Sequence, residues 1–450
     1  MKTICHSYIN NCLVSVLLSL MACSDFVEVD PPRTDLMRST VFGSSETANA
    51  AVLDIYFQMS SSGFASGDIN SITLLAALSA DEIVNGIKFD PSYKQFNDNV
   101  ILPSNIRLLR LWTDMYNCIY KANAIIEGLS DSAIDEPTRT RLIGEARFAR
   151  ALCYFYLVNL FGDVPMVIST DYKENQNISR LSADQVYLQI LSDAKAAQEA
   201  LPNDFSASND ERIRGNKGAA TALLSRIYLF TGDWAGAEMQ ATKVIEDPLY
   251  ELSTLNGVFL KNSSEVILQL PPRFGTVPER STFRSYNMAI TSRLVSAFEA
   301  GDARKTAWLQ LAPAGYYRPN KYQSGDGSSS EYSVVIRLAE VYLIRSEARI
   351  RQHNLSGALD DLNAIRLRAG LNTANADSED ALLSALEHER AVELFAEWGH
   401  RWLDIKRTGR VDQILEPLKP NWKPNYALYP IPTNQLQNDP AMLNAQNPGY

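Results

Sequence analysis

Histidine and cysteine are scarce here: four and five among 450 residues. The histidines after the first ten residues are His353, His388 and His400, with no His-Glu-x-x-His and no ligand cluster, so the sequence offers no zinc centre. Glycine-rich phosphate loops and nucleophile elbows are absent too. Basic charge is outnumbered, 42 against 52, for a net charge of −10 and a pI near 5.1. No basic stripe compensates, which excludes nucleic acid as a partner. The loop Gly325-Asp326-Gly327, with Glu331 beyond it, lacks the alternating oxygens of a calcium loop and reads as a solvated turn. No metal, cofactor or catalytic residue is therefore assigned. What is present is a globular balance, 46% hydrophobic and 21% charged, with 20 Tyr against 16 Phe. Tyrosine pairs a flat apolar face with a polar tip, which suits amphipathic ligands such as sugars as well as packing.

Residues 1–22 read as a secretory signal: one lysine, then an apolar run of about ten residues, too short to span a bilayer. It ends in Leu20-Met-Ala-Cys23, which resembles a bacterial lipobox, so Cys23 is expected to carry lipid and anchor the chain in a membrane. Residues 23–40, acidic and containing Pro31-Pro32, form the expected tether. No later run approaches the ~18 apolar residues of a spanning helix. Cys118 and Cys153, in apolar helical surroundings, are expected to be buried thiols.

The rest is mostly α. Apolar positions Leu108, Leu111, Met115, Ile119, Ala122 and Ile126 mark one helical face. Arg139–Leu160 continues as a buried helix, and a third runs from a Ser182 N-cap to a stop at Pro202. Two later segments match at an offset of 121, aligning Ser225 with Ser346, Gly236 with Gly357 and Ala237 with Ala358. That is tetratricopeptide-like hairpin logic, with small residues allowing close helix approach. Loop-rich insertions are expected at 60–105, 169–180, 252–281 and 301–330.

An ordered series of motifs then resembles a known family. It runs through Ala80-Asp-Glu82, Trp112-Thr-Asp-Met-Tyr116 with Asn123-Ala-Ile-Ile126, Gly144-Glu-Ala-Arg-Phe-Ala-Arg-Ala151 and Phe161-Gly-Asp-Val-Pro165. It continues with Gly232-Asp-Trp234, Ile336-Arg-Leu-Ala-Glu-Val-Tyr-Leu343, Asn363-Ala-Ile-Arg-Leu-Arg-Ala-Gly370, Glu393-Leu-Phe-Ala-Glu397, Arg401-Trp-Leu-Asp404, Pro430-Ile-Pro432 and Gln446-Asn-Pro-Gly-Tyr450. The set resembles the SusD/RagB family of outer-membrane, nutrient-binding lipoproteins of Bacteroidetes. The resemblance implies about four tetratricopeptide-like hairpins, with an N-terminal region over 41–250 and a C-terminal region over 251–450. It also implies lipid anchoring at the outer membrane facing the exterior, and partnership with a SusC-like TonB-dependent transporter that receives the captured glycan. Peptide capture, as in the RagB branch, is the alternative.

Glu393 and Glu397, at i,i+4, superficially suit a glycosidase carboxylate pair. Arg390, Arg401 and Arg407 lie within a few turns and are expected to pair with them, lowering the pKa that a general acid needs raised. No enzyme is expected. Glycan sites combine aromatic faces with amide and guanidinium donors, and two insertions have that makeup. One, 81–99, contributes Phe89, Tyr93 and Asn97. The other, 280–323, contributes Tyr286, Tyr316, Tyr317 and Arg318, beside Phe283, Trp308 and Tyr322. Tyr316-Tyr317-Arg318 is the leading candidate, because adjacent tyrosines on a Gly/Pro-flanked loop are hard to bury together. Trp112, Trp234, Trp398 and Trp402 are expected in the core.

Overall fold

The computed structural model describes residues 40–61, 63–85, 90–325, 327 and 330–450. Cys23, the signal, the tether up to residue 39 and Phe89 lie outside the described residues.

The main helices are α1 (Ser45–Ser61), α2 (Ile72–Ser79), α3 (Pro91–Asn97), α4 (Ile106–Ser130), α5 (Glu136–Phe161), α6 (Ala183–Ala200), α7 (Lys217–Thr231), α8 (Trp234–Ile245), α9 (Pro278–Ser285), α10 (Leu338–Arg351), α11 (Leu355–Arg368), α12 (Glu379–Glu393) and α13 (His400–Arg407). Besides a short pair at Val164–Pro165 and Arg180–Leu181, the strands are β1 (Ile83–Asn85), β2 (Val266–Leu270), β3 (Met288–Ile290), β4 (Leu309–Leu311), β5 (Tyr317–Pro319) and β6 (Ser333–Arg337), which pair antiparallel as β1–β3, β2–β6 and β4–β5. The protein is mostly helical. Consecutive helices pack as hairpins α4/α5, α7/α8 and α10/α11; α6 lies against both α5 and α7, α8 against α10, and α12 against α10 and α11. No helix among the described residues is long and apolar enough to cross a membrane.

The local rules hold where sequence signals are strong. Ser182 and Gln185 form a capping box at the start of α6. Gly162 closes α5 at φ 74°, a left-handed angle that glycine adopts without a Cβ clash. The 121-residue repeat has a more specific cause than helix approach alone. Asp233 and Asn354 each cap a return helix by accepting from the N–H of Gly236 and Gly357, and a Cβ on either glycine would lie 2.6 or 2.8 Å from the capping side chain. Ser346 donates to the carbonyl of Ala358 across its hairpin at 2.8 Å.

One apolar cluster runs from Phe42 to Met442, so residues before and after 250 share a core. Cys118 and Cys153 are buried and free, and Trp112, Trp398 and Trp402 are core residues, whereas Trp234 is only half-buried. The C-terminal motif works as a latch. Asn447 donates to the carbonyls of Phe161 and Tyr429 at 2.8 and 2.7 Å, while Gln446 bonds both backbone groups of Ile431. The region 60–105 is less irregular than expected: α2 is buried on every side, which erases its amphipathic period, and Asp90 caps the short α3.

Glu393 and Glu397 do not share a helical face. Helix α12 ends at Glu393, and the chain turns through Ala396 and Trp398 at φ 54° and 45° before Gly399 at φ 69°. This turn is pressed onto α2: Trp398 accepts no slack, with its N–H on the Thr73 hydroxyl at 3.2 Å and its indole on the Val334 carbonyl at 2.8 Å. A Cβ at Gly399 would sit 2.6 Å from that of Ala76. The expected arginines are also spent elsewhere: Arg390 on Asp404, Arg401 on Asp81 and Glu387, Arg407 on Glu347 and Asp404. Glu393 pairs with Arg304, Arg337 and Arg368, and Glu397 with Arg337 and Lys321. Burial would raise both carboxyls, but these cations outweigh it and hold both below the usual range, Glu393 well below. Neither carboxyl has the raised pKa that a general acid needs.

Two other buried carboxyls go the opposite way. Burial, with Asp81 adding repulsion, pushes Glu82 from 4.5 up to about 8. Burial also takes Glu279 to about 8, against a hydrogen bond from the Ser333 hydroxyl. A raised carboxyl leaves the folded state unpenalised below its unfolded pKa, and destabilises it progressively as pH rises toward the folded value. Glu279→Gln is therefore expected to gain stability relative to the wild type by about 1.4 kcal/mol per pH unit across that window. Urea unfolding of both proteins at pH 5, 6.5 and 8 checks this; a difference that stays constant with pH would mean Glu279 is already ionised in the fold.

Candidate functional site

The two insertions read as ligand loops are brought together by strand pairing. Ile83, Val84 and Asn85 of β1 align with Ile290, Ala289 and Met288 of β3. The Thr291 N–H and hydroxyl extend the join, donating to the carbonyls of Glu82 and Asp81 at 2.9 and 2.7 Å. The hairpin β4–β5 packs on β3 and on α9, so α9, β3 and β5 form one flank beside α3. Residues as much as 210 apart in sequence are thereby joined.

Tyr286 follows α9, and its ring meets Tyr93 edge-on at a centroid distance of 6.1 Å. It is 38% exposed, whereas Tyr93 is 1% exposed. Tyr93 is thus corrected from a contact residue to a support. Its other neighbour is the Arg107 guanidinium, 4.0 Å from the ring centroid and fixed by Asp90, Ser92 and Asn70 at 2.8 to 2.9 Å. The reason is the helical period of α3, which turns Tyr93 and Phe96 inward together.

In the hairpin, the Ala312 N–H bonds the Tyr316 carbonyl at 2.8 Å, and Gly315 at φ 84° makes the turn in open space. Tyr316, Tyr317 and Arg318 are all half-buried, but they do not form one face. Alternation along the strand sends Tyr317 against the core and Arg318 to the other side. The Tyr316 hydroxyl donates to Asn287 Oδ1 at 3.1 Å, and Arg318 donates twice to Gln310 Oε1 at 3.0 and 2.8 Å. Asn287 sits at φ 51°, a left-handed angle that asparagine tolerates better than most residues. Phe283, Trp308 and Tyr322, compositionally similar to the candidates, are core residues; the Trp308 indole bonds the Leu255 carbonyl at 3.0 Å.

Asn97 opens onto a cleft of about 410 Å³, lined also by Asp81, Val84, Lys94, Arg293 and Lys419. Burial brings Lys419 down to about 7, and its ammonium donates to the carbonyls of Leu78 and Ser79 at 2.6 and 3.0 Å. Glu331 has both carboxylate oxygens on backbone N–H groups of Gln323 and Ser324.

Residues that the sequence did not single out complete the surface: Arg280 and Arg284 on α9, with Asn287, Gln310 and Asn320 as their polar surroundings. The one usable signal was the i,i+4 spacing of the two arginines after Pro278, which places them on one helical side.

A helical scaffold that gathers half-buried rings and amide or guanidinium donors on a short-stranded flank is the architecture of a binding protein. The comparisons agree. Residues 48–229 match the family described as starch-binding and associating with outer membrane, and residues 301–450 match the SusD family. The chain belongs to the SusD/RagB family. It is 25% identical to a SusD-like protein of Formosa agariphila over 98% of this chain and 99% of the relative. A laminarin-binding SusD-like protein superposes with a TM-score of 0.74 at 25% identity, over 90% of this chain and 99% of the other. Surface glycan-binding protein A of Bacteroides thetaiotaomicron, in complex with laminarihexaose, gives 0.76 at 18% identity, over 89% and 99%.

Proposed function

We propose that this protein is a cell-surface lipoprotein, anchored at Cys23, that binds glycan and delivers it to a SusC-like TonB-dependent transporter in the outer membrane. The observation that carries the reading is the joining of both candidate insertions through β1–β3, which sets the exposed Tyr286 beside the Tyr316 hairpin. Rings of this kind cover the CH faces of a pyranose, while Asn287, Gln310 and Arg318 offer partners for its hydroxyls. Family membership supports it, as do the two structural relatives that bind laminarin or laminarihexaose. Tyr316, Arg318 and Tyr286 are the proposed contacts, with Tyr317 supporting the hairpin from its core side and Asn97 at the neighbouring cleft; Phe89 belongs to the proposal from sequence alone. The protein acts by binding, without catalysis.

A polysaccharide and peptide panel tested by affinity electrophoresis and calorimetry separates glycan capture from the RagB-like alternative. Retardation by a glycan supports the proposal; a peptide signal without any glycan signal overturns it. Anchoring has its own test. Cys23→Ala is expected to abolish lipid labelling and release the protein from membranes, and labelling retained in that variant would remove the lipobox reading.

A further inference from the structure

We propose that the ligand of this surface is an anionic oligosaccharide, one carrying carboxylate or sulfate groups, held by Arg280, Arg284 and Arg318 beside the rings of Tyr286 and Tyr316. The inference rests on the glycan-binding reading above and adds the chemical class of the glycan.

The three guanidiniums stand apart from the protein's other arginine clusters. In the core, arginines such as Arg226, Arg304 and Arg337 lie against carboxylates. Here all the hydrogen-bond partners are neutral: Arg280 Nε donates to the Gln323 carbonyl at 3.1 Å, Arg284 to Asn320 Oδ1 at 2.9 Å, and Arg318 to Gln310 Oε1. Among the described residues, none of the three forms an ion pair. Among the described residues, Glu331 is the acidic group whose field favours charge on Arg284, and its oxygens are already held by the Gln323 and Ser324 N–H groups. Burial lowers Arg284, and the like charges of Arg280 and Arg318 lower it further.

This concentration of one sign is held in place by the fold. Arg280 and Arg284 are one turn apart on α9, which packs on the strand carrying Arg318. Arg280 lies against Gly325 so closely that a Cβ there would be 2.3 Å from its guanidinium carbon. Each guanidinium has five N–H donors and spends only one or two on protein, leaving the rest for a ligand. Planar guanidinium matches carboxylate and sulfate oxygens two at a time. A neutral glycan would leave three partly desolvated like charges uncompensated. An acidic peptide would neutralise them but would make little use of the adjoining rings. The combination selects a sugar that carries negative charge.

Affinity electrophoresis of the purified protein against dextran, dextran sulfate, polygalacturonate, laminarin and polyglutamate tests this. Retardation by dextran sulfate or polygalacturonate, but not by dextran, laminarin or polyglutamate, is expected; which of the two acts identifies sulfate or carboxylate as the group read. Binding is expected to weaken about tenfold between 50 and 300 mM salt. The triple variant Arg280→Gln/Arg284→Gln/Arg318→Gln should lose about tenfold or more in affinity with its unfolding midpoint unchanged. Arg318→Gln alone, should the triple variant not fold, is expected to show a smaller loss in the same direction. Salt-independent binding of a neutral glycan, untouched by these variants, would overturn the inference and leave the glycan reading standing. Retardation by polyglutamate as strong as by the acidic glycans would also overturn it. No retardation by any glycan would remove both.

Discussion

Arg337→Ala is expected to cost about 3–5 kcal/mol of stability, the usual penalty for leaving buried charge without its partner. Arg337 is 1% exposed and touches three acidic side chains. Its Nε lies 2.8 Å from Glu397, Nη1 lies 3.0 Å from Glu265 and also contacts Glu393, and Nη2 donates to the Glu393 carbonyl at 2.9 Å. The same guanidinium therefore closes the end of α12 and ties it to β6. Arg368 still reaches Glu265 and Glu393 in the variant, and Lys321 still reaches Glu397, so the network is weakened rather than erased. Arg349→Ala is the control: its pairs with Glu238 and Asp361 lie nearer solvent, and it should cost about 1 kcal/mol or less. Urea unfolding followed by circular dichroism reads both. Equal losses in the two variants would mean that burial of the Arg337 cluster carries no special energetic weight.

This cluster also marks where sequence reasoning reached its limit. The sequence identified acids and arginines near the end of α12 and predicted that pairing would lower the acids. The direction held for Glu393 and Glu397. The partners did not, because the prediction continued the helix through residue 397, and continuing it places Arg390, Arg401 and Arg407 nearby. In the fold, Trp398 and Gly399 in the turn are set by contact with α2, and Arg304, Arg337 and Arg368 arrive from elements distant in sequence. Local periodicity carries no information about such long-range partners.

Hairpin helices were legible because their signals are local: Ser182 as a cap, Gly162 near a helix end, and the repeated Gly236 and Gly357, whose capping partners Asp233 and Asn354 emerge only in the fold. The candidate surface was legible in part. Composition identified both insertions, and the β1–β3 ladder joins them. Composition does not distinguish a ring that supports from one that contacts. Tyr93 and Tyr286 differ only in which side of a short helix or its end they occupy, yet one is buried and the other open. Arg280 and Arg284 carry no sequence signal beyond their spacing; that neither forms an ion pair among the described residues is visible only in three dimensions.

Tyr286→Ala/Tyr316→Ala is expected to lower glycan affinity about 100-fold with little change in stability. A well-placed aromatic contact is worth on the order of 1–2 kcal/mol, and two would combine to about that factor. Tyr286 is the more exposed, and its removal bares the edge of Tyr93 without opening the core beneath it. Tyr316 has its hydroxyl on Asn287, so Tyr316→Phe separates the two roles of the side chain: retained affinity assigns binding to the ring, lost affinity assigns it to the hydroxyl and the Asn287 geometry. Tyr317→Ala serves as the contrast, because that ring leans on the core and its loss should lower the unfolding midpoint more than the affinity. Calorimetry with the glycan retained in electrophoresis, alongside thermal unfolding of each variant, reads these quantities separately. Full affinity in the Tyr286→Ala/Tyr316→Ala protein would move the glycan off this flank, and the cleft containing Asn97 and Lys94 would become the next surface to substitute.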